Sequence, residues 1–147
     1  MTRASLAALV RDGRIEKVPA DLPAAWTRLD EAKLHLASSA ALAKPDPTMA
    51  YVVLYDAARK AITAHMLASG YRAANRPGAH QAVALYGQTV ITASFAVAHI
   101  RAFERMRQVR NRSEYDHQPI TDRLLATDLG HAQAIVAAVE AAMPPRP

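Results

Sequence analysis

An all-α fold, an up-and-down bundle of four to five helices, is predicted by three observations. Glycine is scarce, at 5 of 147 residues, while alanine, the strongest helix former, recurs throughout. Aromatic residues make up only 5% of the chain, and no stretch alternates β-branched and polar residues between turn signals, so nothing supplies a strand. Apolar residues instead recur at steps of three and four between helix caps and helix stops.

Each helix carries its own signals. Residues 2–12 read as a brief amphipathic helix with Leu6, Leu9 and Val10 on its apolar side, ended by Gly13. Asp21 caps a second helix from Pro23 to Ala43, with Trp26, Leu29, Leu34 and Leu36 as apolar positions, and Pro45-Asp46-Pro47 breaks it. Asp46 then caps a third helix over 47–70, with Pro47 in the first turn and Gly70 at the end. Tyr71–Gly78 reads as a short polar loop carrying Arg72, Arg76 and Pro77, after which a helix restarts at Ala79 and can pause at Gly87. From Thr89 to Arg112 the pattern is helical again, with Ile91, Phe95, Ala98, Ala102, Met106 and Val109 as one core-facing stripe. Thr121 caps a last helix running to Met143. The stretch 1–143 is thus expected to be a single domain, and Pro144-Pro145-Arg146-Pro147 a disordered tail.

Composition narrows the function classes. Without cysteine there is neither a disulfide framework nor a thiolate metal site. No basic-then-apolar leader opens the chain and no apolar run approaches the roughly 20 residues that span a bilayer, so a cytoplasmic location without membrane contact is expected. The net charge of +5 rests mainly on arginine, which supplies 14 of the 18 basic residues. That balance points to an acidic partner: nucleic acid such as RNA, a nucleotide or an acidic protein.

The arginines concentrate near one helix end. Arg101, Arg105, Arg107, Arg110 and Arg112 fall within twelve residues. At 100° per residue, Arg101, Arg105 and Arg112 flank one side of the apolar stripe, where their stems can cover core edges. Arg107 and Arg110 lie on the other side with Phe103. The segment closes with Arg110-Asn111-Arg112-Ser113-Glu114-Tyr115-Asp116-His117 before Pro119. If the helix continued, His117 would lie seven residues beyond Arg110, on nearly the same face.

Arginine and histidine together suit metal-independent cleavage of an RNA phosphodiester. Histidine titrates near neutrality and can move the proton of a 2′-hydroxyl or of the leaving oxygen. Arginine stays charged and can hold the nonbridging oxygens as negative charge develops. One histidine cannot easily act as both acid and base, which points to two copies meeting in a dimer. Arg107, Arg110 and Arg112 are the candidate RNA contacts. Asn111 can orient such a cleft or cap the helix end, and Tyr115 can stack on a base or pack on a partner helix.

At these residues the chain resembles the HEPN superfamily (higher eukaryotes and prokaryotes nucleotide-binding), whose signature is Arg, then commonly Asn, Asp or His, and a later His. Here Arg110-Asn111 begins the motif and His117 follows after six intervening residues. Tyr-Asp-Ala-Ala-Arg-Lys-Ala at 55–61 and Arg-Pro-Gly-Ala-His at 76–80 are similar to a helix pair of that family and its connecting loop. The resemblance implies a small helical homodimer that brings two motifs into one cleft and uses neither metal nor cofactor. It also implies an endoribonuclease of a toxin–antitoxin or phage-defence system, partnered in many cases by a nucleotidyltransferase-type antitoxin. Tyr115 stands where a common subgroup has its histidine, and His117 where that subgroup has its tyrosine. That departure keeps open a non-catalytic module binding RNA, a nucleotide or a partner protein, and beyond it a plain dimerisation scaffold.

Elsewhere, His80 opens a helix beside the Arg72–Arg76 loop and could bind an anion. Tyr55, Asp56 and Arg59 read as an internal polar contact. His35, His65, His99 and His131 show no pairing along one helix face and read as scaffold.

Overall fold

The computed structural model describes residues 5–91 and 94–147, with the side chains of 94–96 outside the description. Helices dominate: α1 (Leu6–Arg11), α2 (Leu22–Leu42), α3 (Pro47–Ser69), α4 (Ala79–Val90), α5 (Ser94–Tyr115) and α6 (Asp122–Ala142). The caps read from sequence are formed. Asp21, Asp46 and Thr121 accept from the amides of Ala24, Met49 and Leu124 at 3.0–3.1 Å. Each thereby satisfies an otherwise orphaned first-turn donor. Gly70 ends α3 at φ 85°, where a Cβ would come within 3.0 Å of the Val18 carbonyl oxygen. Only glycine closes that turn without strain.

The strand-free expectation is corrected. Ile15–Lys17 (β1) and Tyr71–Ala73 (β2) pair antiparallel, with Ile15 opposite Ala73 and Lys17 opposite Tyr71. The turn at Gly70 sends the chain back beside β1, Ile15 is buried, and Arg72 bonds Glu16 across the pair at 2.8 Å. A three-residue ladder between segments this distant leaves no alternation to read.

The helix break expected at Gly87 falls later. Gly87 packs inside α4 against Ile62 and Ile100, where a Cβ would crowd Ile100, and the chain leaves helical angles at Ile91. The stripe drawn through a continuous 89–112 helix therefore shifts phase. Ile91, Ala102, Met106 and Val109 are buried, but Ala98 is exposed, and Ile100 and Phe103 take the central positions. Phe95 lies outside the described side chains, as residues 2–4 of the first expected helix lie outside the described residues.

α3 is the central element, packed on α2, α4, α5, α6 and β2, while α5 and α6 pack on each other. Tyr51, Leu54, Tyr55, Ala58, Ala61 and Ile62 give it a wide buried surface. α2 buries Trp26 and Leu29, but Leu34 is 67% exposed. It sits about 140° round the helix from Leu29 at 100° per residue. The tail also departs from expectation, for it lies on α2. The Trp26 indole N–H donates to the Pro144 carbonyl at 3.1 Å. Arg146 lies 4.4 Å over the Trp26 ring and forks onto both Asp30 oxygens at 2.9 Å. A proline-rich segment loses little freedom on ordering, so a ring face and one carboxylate suffice to hold it.

Candidate functional site

At the end of α5 no hydrogen bond or ion pair joins the Arg110 and His117 side chains among the described residues. α5 stops at Tyr115, and the Arg112 carbonyl accepts from the amides of Asp116 and Gln118 at 2.9 and 3.3 Å. His117 has a φ of 53°. This left-handed angle turns the chain ahead of Pro119 and removes the common face expected for Arg110 and His117. His117 is exposed and makes no side-chain hydrogen bond or ion pair among the described residues. Tyr115 is 76% exposed and Arg112 is exposed, while Asn111, four residues before the helix end, does not cap it. Arg110 faces inward: it pairs with Glu114 at 3.6 Å and lies 5.7 Å over the Tyr55 ring.

The α5 arginines divide as the helix phase predicts, with one addition. Arg105 turns to α6 and forks onto Asp128, Nη2 to Oδ1 at 2.7 Å and Nη1 to Oδ2 at 3.2 Å. The Tyr51 hydroxyl donates to the same carboxylate at 2.6 Å. Asp128 and Tyr51 are both fully buried, and this triad satisfies them. Burial, then the bond to Asp128, pushes the Tyr51 phenol far up, so it remains a donor. The triad joins α3, α5 and α6. No local spacing announces it, because its members are 23 to 77 residues apart.

On the opposite side of α5 the structure assembles a cluster that the sequence shows only as separate residues. Tyr55 is buried with its ring stacked on Phe103, centroids 5.3 Å apart and planes 6° from parallel. Its hydroxyl meets His80 Nδ1 at 3.0 Å. Arg59, on the next turn of α3, bonds Asp56 through Nε and Nη2 at 3.2 and 2.7 Å. Arg107 is exposed and makes no hydrogen bond or ion pair with a described residue.

Burial first, and then the charges of Arg107, Arg59 and Arg110, hold His80 below its ordinary value. The three guanidiniums are thus near enough for their charge to act on the imidazole. Burial raises the Tyr55 phenol against the pull of the same arginines, so it stays protonated. A cluster with this many cations and few acceptors is suited to holding an anion.

The remaining histidines pair between helices rather than along one. His99 and His131 meet Nδ1 to Nδ1 at 2.7 Å, His65 meets the Tyr86 hydroxyl at 2.9 Å, and His35 meets Lys60 Nζ at 2.8 Å. No group of three or more His, Cys, Asp or Glu among the described residues is placed to hold a metal.

These environments set a pH dependence. Burial depresses His65, burial and nearby arginines depress His80, and burial and His99 depress His131. Each folded value lies below the unfolded one of about 6.5, so the unfolded chain takes up protons first as pH falls. Stability is thus fully present above pH ~6.5 and is lost as pH drops through the folded values. Thermal melts should show Tm falling between pH 7.5 and 5; a Tm that is flat or rising over that range would contradict these environments.

No helix among the described residues is long and apolar enough to cross a membrane. Comparison with known proteins finds no matching family model, no matching curated protein and no matching solved structure.

Proposed function

We propose that this protein is an HEPN-like helical bundle that binds RNA through the cationic side of α5. The carrying observation is that Arg107, free of any described partner, and Arg110, only loosely paired with Glu114, share one side of that helix. Exposed Arg112 lies about 140° round the helix from Arg107 and adds charge on the other side near the helix end. Guanidiniums of this kind recognise phosphate by paired N–H donors and steer a polyanion from a distance. Arg105 contributes less, because Asp128 already engages it.

A ribonuclease reading is favoured by one further observation. His117 is exposed and unengaged just beyond the same helix, leaving its imidazole open to a substrate. Since it is not bonded to Arg110, cleavage in this reading pairs the His117 of one copy with the Arg110 of another, with Asn111 and Tyr115 flanking. A homodimer of toxin type, restrained by an antitoxin partner, is the arrangement this reading implies.

Binding of single-stranded RNA at low salt, compared between the wild type and Arg107→Gln/Arg110→Gln, tests the proposal. The double variant should lose at least about tenfold in affinity. Equal affinity would overturn the assignment of this surface. RNA incubated in the presence of a chelator separates the two readings: products formed by the wild type and not by His117→Ala mark a nuclease, and intact RNA with normal binding marks a binding module.

A further inference from the structure

We propose that Arg59, His80, Arg107 and Arg110, gathered around the Tyr55 hydroxyl, form a site for a phosphomonoester dianion, the terminal phosphate of an RNA strand or of a mononucleotide. The proposal rests on the RNA-binding reading only for the strand that carries the phosphate.

Donor geometry is the first support. The Tyr55 hydroxyl has His80 Nδ1 as its one hydrogen-bond partner among the described residues. A phenol donating to Nδ1 puts the imidazole proton on Nε2, and no described residue accepts from that nitrogen. His80 is exposed, so this donor is open to a ligand, and Tyr55 acts as its positioning residue. The Phe103 stack holds Tyr55 in place from beneath. Arg107 has all its donors free, Arg110 uses one nitrogen on Glu114, and Arg59 uses two on Asp56. N–H groups therefore remain on all three guanidiniums for the oxygens of a monoester.

Charge is the second support and decides between kinds of phosphate. The groups acting on His80 are Tyr55 and Arg59 from α3, and Arg107 and Arg110 from α5; behind them Asp56 pairs with Arg59 and Lys60, and Glu114 with Arg110. Glu114 and an Asp56 that Lys60 shares offset only part of the three guanidinium charges, so the cluster is net positive while His80 is neutral and gains one more charge once it is protonated. A phosphodiester carries one negative charge and is matched without a proton. A monoester carries nearly two above its second pKa of about 6, and it gains the more from a proton on His80. Monoester binding is therefore linked more strongly to proton uptake at His80 than binding along the strand is.

The experiment compares RNA strands of one sequence bearing a 5′-phosphate, a 3′-phosphate or neither, with AMP and inorganic phosphate as competitors, at pH 7.0 and 8.5. A phosphorylated end or AMP should bind at least about tenfold tighter than its unphosphorylated counterpart at pH 7.0. That ratio should shrink at pH 8.5, and His80→Gln, at an exposed position, should shrink it at pH 7.0. Preference for a strand end over AMP names RNA termini as the source; the reverse names a nucleotide. If no phosphomonoester outperforms its unphosphorylated form, the dianion site is overturned while RNA binding stands. If AMP binds with this preference but no RNA does, the site stands and the RNA reading falls.

Discussion

Replacing Phe103 with alanine is expected to cost about 3–5 kcal/mol of folding stability, the range for truncating a buried aromatic. Phe103 is 1% exposed and lies flat against Tyr55 between α5 and α3. Alanine forfeits the transfer energy of the ring and the stacking contact, and it leaves a cavity beneath Tyr55. The surroundings cannot collapse easily, because Tyr55 is held from above by His80 and by the guanidinium of Arg110. Urea unfolding reads the effect as a lower midpoint at unchanged slope. A loss under about 1 kcal/mol, the usual effect of a surface substitution or less, would show that Phe103 does not occupy this packed position.

Asp128→Ala should destabilise the fold by about 2–4 kcal/mol. The carboxylate is fully buried and serves two donors, the Tyr51 hydroxyl and the Arg105 fork. Removing it strands the Tyr51 hydroxyl in the core with no acceptor, which accounts for most of the cost. The Arg105 side chain is 45% exposed and can rehydrate, which keeps the loss below that of a wholly buried ion pair. Tyr51→Phe deletes only a donor and should cost about 1 kcal/mol. If Asp128→Ala and Tyr51→Phe destabilised equally, the carboxylate would not be the hub of the triad.

Features set by near neighbours were legible in the sequence. Asp21, Asp46 and Thr121 each cap through the amide three residues on, and Gly70 closes its turn locally, so these helix ends follow from composition alone. The sides of α5 were legible as well, since Phe103, Arg107 and Arg110 were separated from Arg105 by helical phase, and the contacts with Tyr55 and Asp128 follow that division.

Tertiary choices were not legible. The pairing of β1 with β2 depends on where α3 delivers Tyr71, and the break at Ile91 carries no glycine or proline. His117 shows how a short-range assumption fails, because a left-handed residue ahead of Pro119 swings it off the face of Arg110. Tyr55 and His80 each drew notice separately, but their 3.0 Å contact spans 25 residues and two helices. Nothing in either segment alone encodes that meeting.

The salt dependence of RNA affinity, measured for the wild type and for Arg107→Gln/Arg110→Gln, tests most directly whether the α5 guanidiniums touch phosphate. Each phosphate contact on a single strand contributes a slope of about −0.7 in log affinity against log salt. Loss of both arginines should therefore flatten the slope by about 1.4 as well as weaken binding. Parallel lines for the two proteins would contradict phosphate recognition at this face.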